Sequence, residues 1–159
     1  MWGDAVKHYL DRAGVPYRII PHPPAYTAQD VAVAAHVPGR EVVKTLVVKL
    51  DGRTALVALP ASEQVVFDLL AAATGARRAE LATAAEFQSL FPECQRGAMP
   101  PLGSLYGLPV FVADTLAEDV AIAFNAGSFT ELIEMSYRDF ERLVRPTVLH
   151  LTARARAGR

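Results

Sequence analysis

Apolar and polar positions divide this chain into short alternating runs and short helical stripes. Val6, Tyr9, Leu10 and Ala13 recur at helical spacing over residues 5–13, with Asp4 as the N-cap and Gly14 and Pro16 as the stop. A strand, "YRII", and a rigid "PHPPA" follow, and Thr27 is placed to cap a second helix running to about His36. The run "REVVKTLVVKLDGRTALVAL", Arg40 to Leu59, is apolar and β-branched on both sides of Asp51-Gly52, which predicts a hairpin on a type I′ turn. Beyond Pro60, Ser62 precedes a helix with Val66, Leu69, Leu70 and Ala73 on one face, ended by Gly75, and "ARRAEL" reads as a strand. Thr83 and Glu86 match a capping box before a short helix carrying Phe87, Leu90 and Phe91. "PVFVAD", "DVAIAFN" and "TELIEMS" predict strands, and Ser136 is placed to cap a last helix using Tyr137, Phe140, Leu143 and Val144.

Short strands mixed irregularly with helices predict an α+β fold: a single domain over residues 1–159 with a mixed, curved, barrel-like β-sheet surrounded by several helices. Its core is expected to span about residues 15–146. Residues 152–159, basic and without apolar periodicity, are expected to fray.

One polar residue interrupts this pattern. Alternation puts Val42, Lys44, Leu46, Val48 and Leu50 on one face of the first hairpin strand, so Lys44 shares its face with four large apolar side chains. An ionised group there needs an anionic partner or a wet cleft, because desolvation penalises the charge. A lysine that snorkels from an edge strand or guards it against pairing is the plain structural alternative.

Composition narrows the class. At 159 residues, 52% hydrophobic and 21% charged, the chain has the make-up of a globular domain with a substantial core. No window has the apolar length of a membrane span, and the charged start "MWGDAVKHYLDRAG" lacks the apolar core of a signal peptide, so the expectation is a cytoplasmic protein. A single cysteine, Cys94, excludes an intrachain disulfide and a thiolate zinc cluster. The net charge of −1 argues against nonspecific coating of nucleic acid while permitting a local basic site.

Two loops carry further candidate chemistry. "RGAMPPLG", Arg96 to Gly103, fixes an unusual backbone path that can hold N–H groups outward as an oxyanion site, although a stiff turn is the ordinary role of such a loop. "FNAGS", Phe124 to Ser128, ends a strand with one bulky and one small face, and Asn125 can offer an amide to a ligand beside the permissive Gly127. His8, His22, His36 and His150 lack the spacing of a local metal motif, and no nucleophile elbow, Walker loop or dinucleotide fingerprint occurs. Cys94 has no assignable base and reads as a small core hydrophobe.

Taken in order, "VVKTLVV", "ALVALPA", "FPECQRGAMPPLG", "YGLPVFVAD", "AFNAGS" and "MSYRDFERLVRP" resemble the YbaK-type aminoacyl-tRNA editing family, related to the editing insertion domain of bacterial prolyl-tRNA synthetase. The likeness runs from about Val15 to Pro146. It implies hydrolysis of the ester that joins a wrong, small amino acid (alanine, cysteine, serine, threonine or proline) to the terminal ribose of a tRNA. It also implies that Lys44 holds the substrate and that backbone amides of the loop, Gly97 above all, stabilise the oxyanion. Met99, Pro100, Pro101 and Gly103 complete that loop. Asn125, Ala126, Gly127 and Ser128 bound the amino-acid pocket, with Tyr26, Thr27 and Thr45 lining it. The resemblance implies no cofactor and no metal. The partners it implies are the tRNA acceptor end and an aminoacyl-tRNA synthetase, with no membrane and no DNA. Without a synthetase body or anticodon-binding domain, the chain is expected to act in trans. A binding module on the same fold, holding tRNA ends, nucleotides or a synthetase without hydrolysis, is the competing expectation, and a hydrolase for another small acyl ester is a third.

Overall fold

The predicted hairpin is the spine of the molecule. In the computed structural model, which describes residues 2–154, β2 (Val43–Leu50) and β3 (Arg53–Pro60) pair antiparallel with Val43 opposite Pro60 and Leu50 opposite Arg53. Asp51 and Gly52 both have positive φ, 50° and 84°, as a type I′ turn requires. Outward from the hairpin, β5 (Ala79–Leu81) adds antiparallel to β2, while β6 (Val110–Ala113) and β9 (Thr147–Leu149) add parallel beyond β3. The result is a five-stranded mixed sheet in the order β5-β2-β3-β6-β9.

A second sheet, of three strands, is antiparallel throughout: β1 (Arg18–Pro21), β8 (Glu131–Ser136) and β7 (Ala121–Asn125), with β8 in the middle. A pair of short strands, β4 (Glu63–Val65) and β10 (Thr152–Arg154), makes a third. The expectation of a frayed tail therefore fails for 152–154, which pair with β4; the rest of that tail lies outside the described residues.

These sheets do not close, and the barrel-like expectation is wrong. The five-stranded sheet ends in β5 on one side and β9 on the other, each three residues long and unpaired with the other. Only one bridge, Val42 parallel to Ala123, joins it to the three-stranded sheet among the described residues. Closure needs a continuous ladder around the circumference, and edge strands this short leave none to continue.

Both faces of the large sheet are covered, which explains why Ala55 to Ala61 are buried without alternation. One face packs against the three-stranded sheet and the helices α1 (Asp4–Arg12) and α6 (Tyr137–Val144) through Leu10, Val47, Leu56, Phe124, Ile133 and Phe140. The other packs against α3 (Phe67–Thr74) through Val48, Val57, Leu59 and Leu70. Each such side chain contributes about 1.5–3 kcal/mol on full burial.

Three predicted caps are present. Thr27 Oγ1 accepts from Asp30 N–H at 3.1 Å at the head of α2 (Ala28–Ala35), Ser136 Oγ from Asp139 N–H at 3.0 Å before α6, and Thr83 with Glu86 forms the capping box of α4 (Ala84–Phe87). Two helix starts differ. Gly3, not Asp4, caps α1, because a Cβ there would lie 2.1 Å from the Ala126 carbonyl oxygen, a closeness only glycine allows. Likewise α3 begins at Phe67 because Glu63–Val65 is drawn into β4.

Candidate active site

Lys44 stands at the start of β2, on a face whose neighbours along the strand go to different places. Val42 packs with Ala32 of α2 and Ala61, whereas Leu46 and Val48 pack beneath α3. Between these clusters Lys44 is half-buried, and burial pushes its ammonium below the ordinary lysine pKa. Its Nζ donates to the Glu63 backbone oxygen at 2.7 Å. The Glu63 carboxylate is engaged elsewhere: Oε1 accepts from the hydroxyls of Thr115, at 2.8 Å, and Thr152. Among the described residues the ammonium has a carbonyl for a partner and no carboxylate, so its charge is uncompensated.

The bridge from Val42 to Ala123 makes Lys44 part of a seam between the two larger sheets. Ala123 N–H donates to Glu41 O at 2.9 Å, and Lys44 and Asn125, the last residue of β7, each follow the bridge by two residues along their own chains. Asn125 Oδ1 is buried with no hydrogen-bond partner among the described residues, an unusual state for a carboxamide oxygen. Ladder geometry orients the backbone here too. Ala61 N–H bonds Val42 O at 2.8 Å, so the alternate residues Val43 and Thr45 turn their N–H and C=O groups away from β3, as the Ala82 N–H to Val47 O bond at 2.9 Å confirms for Val47. The Thr45 side chain itself lies on the opposite face from Lys44, with Val43 and Val47.

The two candidate loops are laced together at this end of the sheet. Gln95 N–H donates to Gly127 O at 2.8 Å, Gly127 N–H to Ala98 O at 3.0 Å, and Phe129 N–H to Gln95 Oε1 at 2.9 Å. Gly97 forms the exposed tip. Its φ of +90° suits only glycine, and its N–H has no partner among the described residues. A Cβ on it would meet Phe129 Cζ at 3.3 Å, and the Phe129 ring packs against Tyr26 with centroids 5.0 Å apart. Tyr26 is 71% exposed, which leaves its other ring face open to solvent.

Other sequence candidates lie behind this surface. Met99, Pro100 and Pro101 are buried under the loop, and Gly103 opens α5 (Gly103–Tyr106), where a Cβ would fall 2.3 Å from Leu108 O. Ala126, Gly127 and Ser128 are buried, with Gly127 against Gly3. The Thr27 hydroxyl is occupied as the α2 cap. Cys94 Sγ is buried 3.5 Å from Tyr106 OH, and burial raises its pKa, which keeps the thiol unreactive. Sequence reasoning missed Gln95 and Phe129, which tie the two loops together. An aromatic directly after "FNAGS" was the available signal for Phe129; nothing local marks Gln95.

Lys44 thus offers an ammonium bonded to a carbonyl, Gly97 an exposed N–H without a partner among the described residues, and Tyr26 with Phe129 an aromatic pair beside the loop. Comparison with known proteins supplies the family context. The aminoacyl-tRNA editing domain profile matches residues 22–143. A curated relative, the multifunctional Ser/Thr-tRNA deacylase ProXp-y of Escherichia coli (strain K12), is 29% identical over 147 residues, which is 89% of this chain and 87% of that protein. Two solved structures share the fold. The hypothetical protein APE2540 has a TM-score of 0.84 at 21% identity, covering 94% of this chain and 100% of that one. A candidate trans-editing enzyme for prolyl tRNA synthetase has a TM-score of 0.83 at 19% identity, covering 95% and 96%.

Proposed function

Because this chain belongs to the aminoacyl-tRNA editing domain family, and is thus a hydrolytic enzyme, we propose that it removes a small mischarged amino acid from tRNA in trans, using Lys44 and the Gly97 loop. The observation that carries this reading is the half-buried Lys44 ammonium, which among the described residues has a single carbonyl partner and no carboxylate. Its missing counter-charge arrives with the substrate, as a phosphate of the tRNA end. Among the described residues no helix is long and apolar enough to cross a membrane, which suits a substrate met in water.

The chemistry asks little of the protein. An aminoacyl ester is an activated acyl group, so a positioned water attacks the carbonyl carbon and the negative charge develops on the carbonyl oxygen. The Gly97 N–H is presented to that oxygen, and removing one such donor typically costs about 10²–10³ in rate. The C–O bond to the ribose then breaks, and the ribose oxygen leaves with the proton released by the water. The ribose hydroxyl next to the ester, or the α-amino group, serves as the base, so no enzyme carboxylate or imidazole is required for proton transfer. Phe129 and Tyr26 wall the pocket. The amino acid is one of the alanine, cysteine, serine, threonine and proline class, and the name of the ProXp-y relative directs attention to serine and threonine.

Loss of ester from tRNAs charged with each of these amino acids, with and without a synthetase, tests the reading. Hydrolysis of one or a few supports it. Stable esters throughout would leave a binding module instead.

A further inference from the structure

We infer that Thr115 and Thr152 are positioning residues for Lys44, their hydroxyls holding the Glu63 carboxylate off the ammonium so that its charge stays available to an anionic substrate, an inference that rests on the role given to Lys44 above.

The chain has three lysines, and among the described residues two of them pair with a glutamate. Lys7 Nζ meets Glu131 Oε1 at 3.1 Å, and Lys49 Nζ meets Glu86 Oε2. Lys44 also touches a glutamate, yet its Nζ donates to the backbone oxygen of Glu63, at 2.7 Å, and not to the carboxylate. That carboxylate hangs from the same residue, so rotation about its own side-chain bonds is enough to bring it towards Nζ. Opposite charges attract more strongly where burial thins out the water, so something must restrain it.

Two hydroxyls do. Glu63 Oε1 accepts from Thr115 Oγ1, at 2.8 Å, and from Thr152 Oγ1. Both bonds end on a charged oxygen, which makes them stronger than bonds between neutral groups. The donors come from distant segments: Thr115 directly precedes the 3₁₀ turn Leu116–Glu118, and Thr152 opens β10. Thr152 is opposite Val65 in the ladder, and Val65 shares a face of β4 with Glu63, so the threonine lies diagonal to the carboxylate it binds. Thr152 is 7% exposed, which leaves little room for water to take over its bond. Glu63 also adds to the charge that raises the Asp119 pKa, together with Glu41 and Glu118 and against Arg40. Its other charged surroundings are thus mostly negative, and a carboxylate released by the threonines is drawn to Lys44.

The test replaces both hydroxyls with methyls, combining Thr115→Val and Thr152→Val, and follows the lysine side chains by NMR in lysine-labelled protein. Three lysines give three signals, and the one absent from Lys44→Ala belongs to Lys44. Burial holds its titration below the ordinary lysine value in the wild-type protein. In the double variant the freed carboxylate should move that titration up by about one pH unit, the low end for a charge brought beside its opposite. Adding Glu63→Gln, which removes the carboxylate charge, should move it back. Deacylation of seryl-tRNA should follow the same course: KM about tenfold higher in the double variant, the equivalent of one pH unit, kcat little changed because only substrate holding is weakened, and recovery with Glu63→Gln. An unmoved Lys44 titration in the folded double variant overturns the inference. A loss of deacylation that Glu63→Gln does not recover overturns it too, by showing that the hydroxyls serve stability alone. Thr115→Val by itself, at a half-buried position, decides the matter if the double variant does not fold: a titration moved upward supports the inference and an unmoved one overturns it. If the wild-type protein hydrolyses no ester, the deacylase reading falls, while the titration still shows whether the threonines restrain Glu63.

Discussion

Replacing Gly97 with alanine separates the cost of backbone strain from the cost of a displaced oxyanion donor, provided a second glycine serves as reference. Gly97 has φ +90° and Gly52 φ +84°, so alanine is strained at both, by roughly 1–2 kcal/mol. They differ in surroundings. At Gly52 nothing lies within 4 Å of the added methyl, whereas at Gly97 it meets Phe129 Cζ at 3.3 Å and must push either the ring or the loop aside. Both variants should lose a few degrees of melting temperature from the strain, at about 2–4 °C per kcal/mol for a chain of this size, and Gly97→Ala somewhat more because of the Phe129 contact. Only Gly97→Ala should lose catalysis, by about 10²–10³ in kcat if its N–H is a lone oxyanion donor. Single-turnover deacylation with enzyme in excess, beside thermal melts of both variants, measures the two effects separately. Equal deacylation rates in Gly97→Ala and Gly52→Ala, with both folded, would refute the role given to the loop.

Two further predictions concern stability. Burial, and after it the nearby Glu41 carboxylate, raise the Asp119 pKa from 3.8 to about 6. The folded state therefore binds more protons than the unfolded between those values, and this group's contribution to stability falls as pH rises from about 4 to about 6. Asp119→Asn should melt higher than wild type at pH 8 and lose that advantage towards pH 4; an advantage independent of pH would contradict this. Gly103→Ala forces a methyl to 2.3 Å from Leu108 O and 2.4 Å from Val110 Cγ2, and should destabilise by at least about 1–3 kcal/mol in chemical denaturation. An unchanged unfolding midpoint would show that α5 can shift at no cost.

The parts of the fold legible in the sequence are those set by neighbours along the chain. Asp51-Gly52 specifies its turn, and Thr27, Ser136 and the Thr83–Glu86 pair specify helix starts, because each acts on groups two or three residues away. Strands β4, β9 and β10 were not legible. Three residues carry too little alternation to register, and β4 exists only because Glu63 lies opposite Arg154, ninety-one positions on. Sheet closure was misread for the same reason, since it depends on where edges end and not on any local pattern. The site divides similarly. Lys44 stood out because it breaks an apolar face, and Gly97 because glycine and proline fix a loop. That the segments of Lys44 and Asn125 meet at Val42 and Ala123, and that the "RGAMPPLG" and "FNAGS" loops are bonded to each other, follow from one bridge and a few hydrogen bonds between distant segments.

The most direct test of the account is deacylation of the charged-tRNA panel by Lys44→Ala beside the wild-type protein, with a melting curve for each. Lys44 is half-buried and bonded to one carbonyl, so the variant should fold. The account predicts that wild type hydrolyses one or a few small aminoacyl esters and that Lys44→Ala, equally folded, loses most of that activity. Wild-type rates in a well-folded Lys44→Ala protein would contradict it.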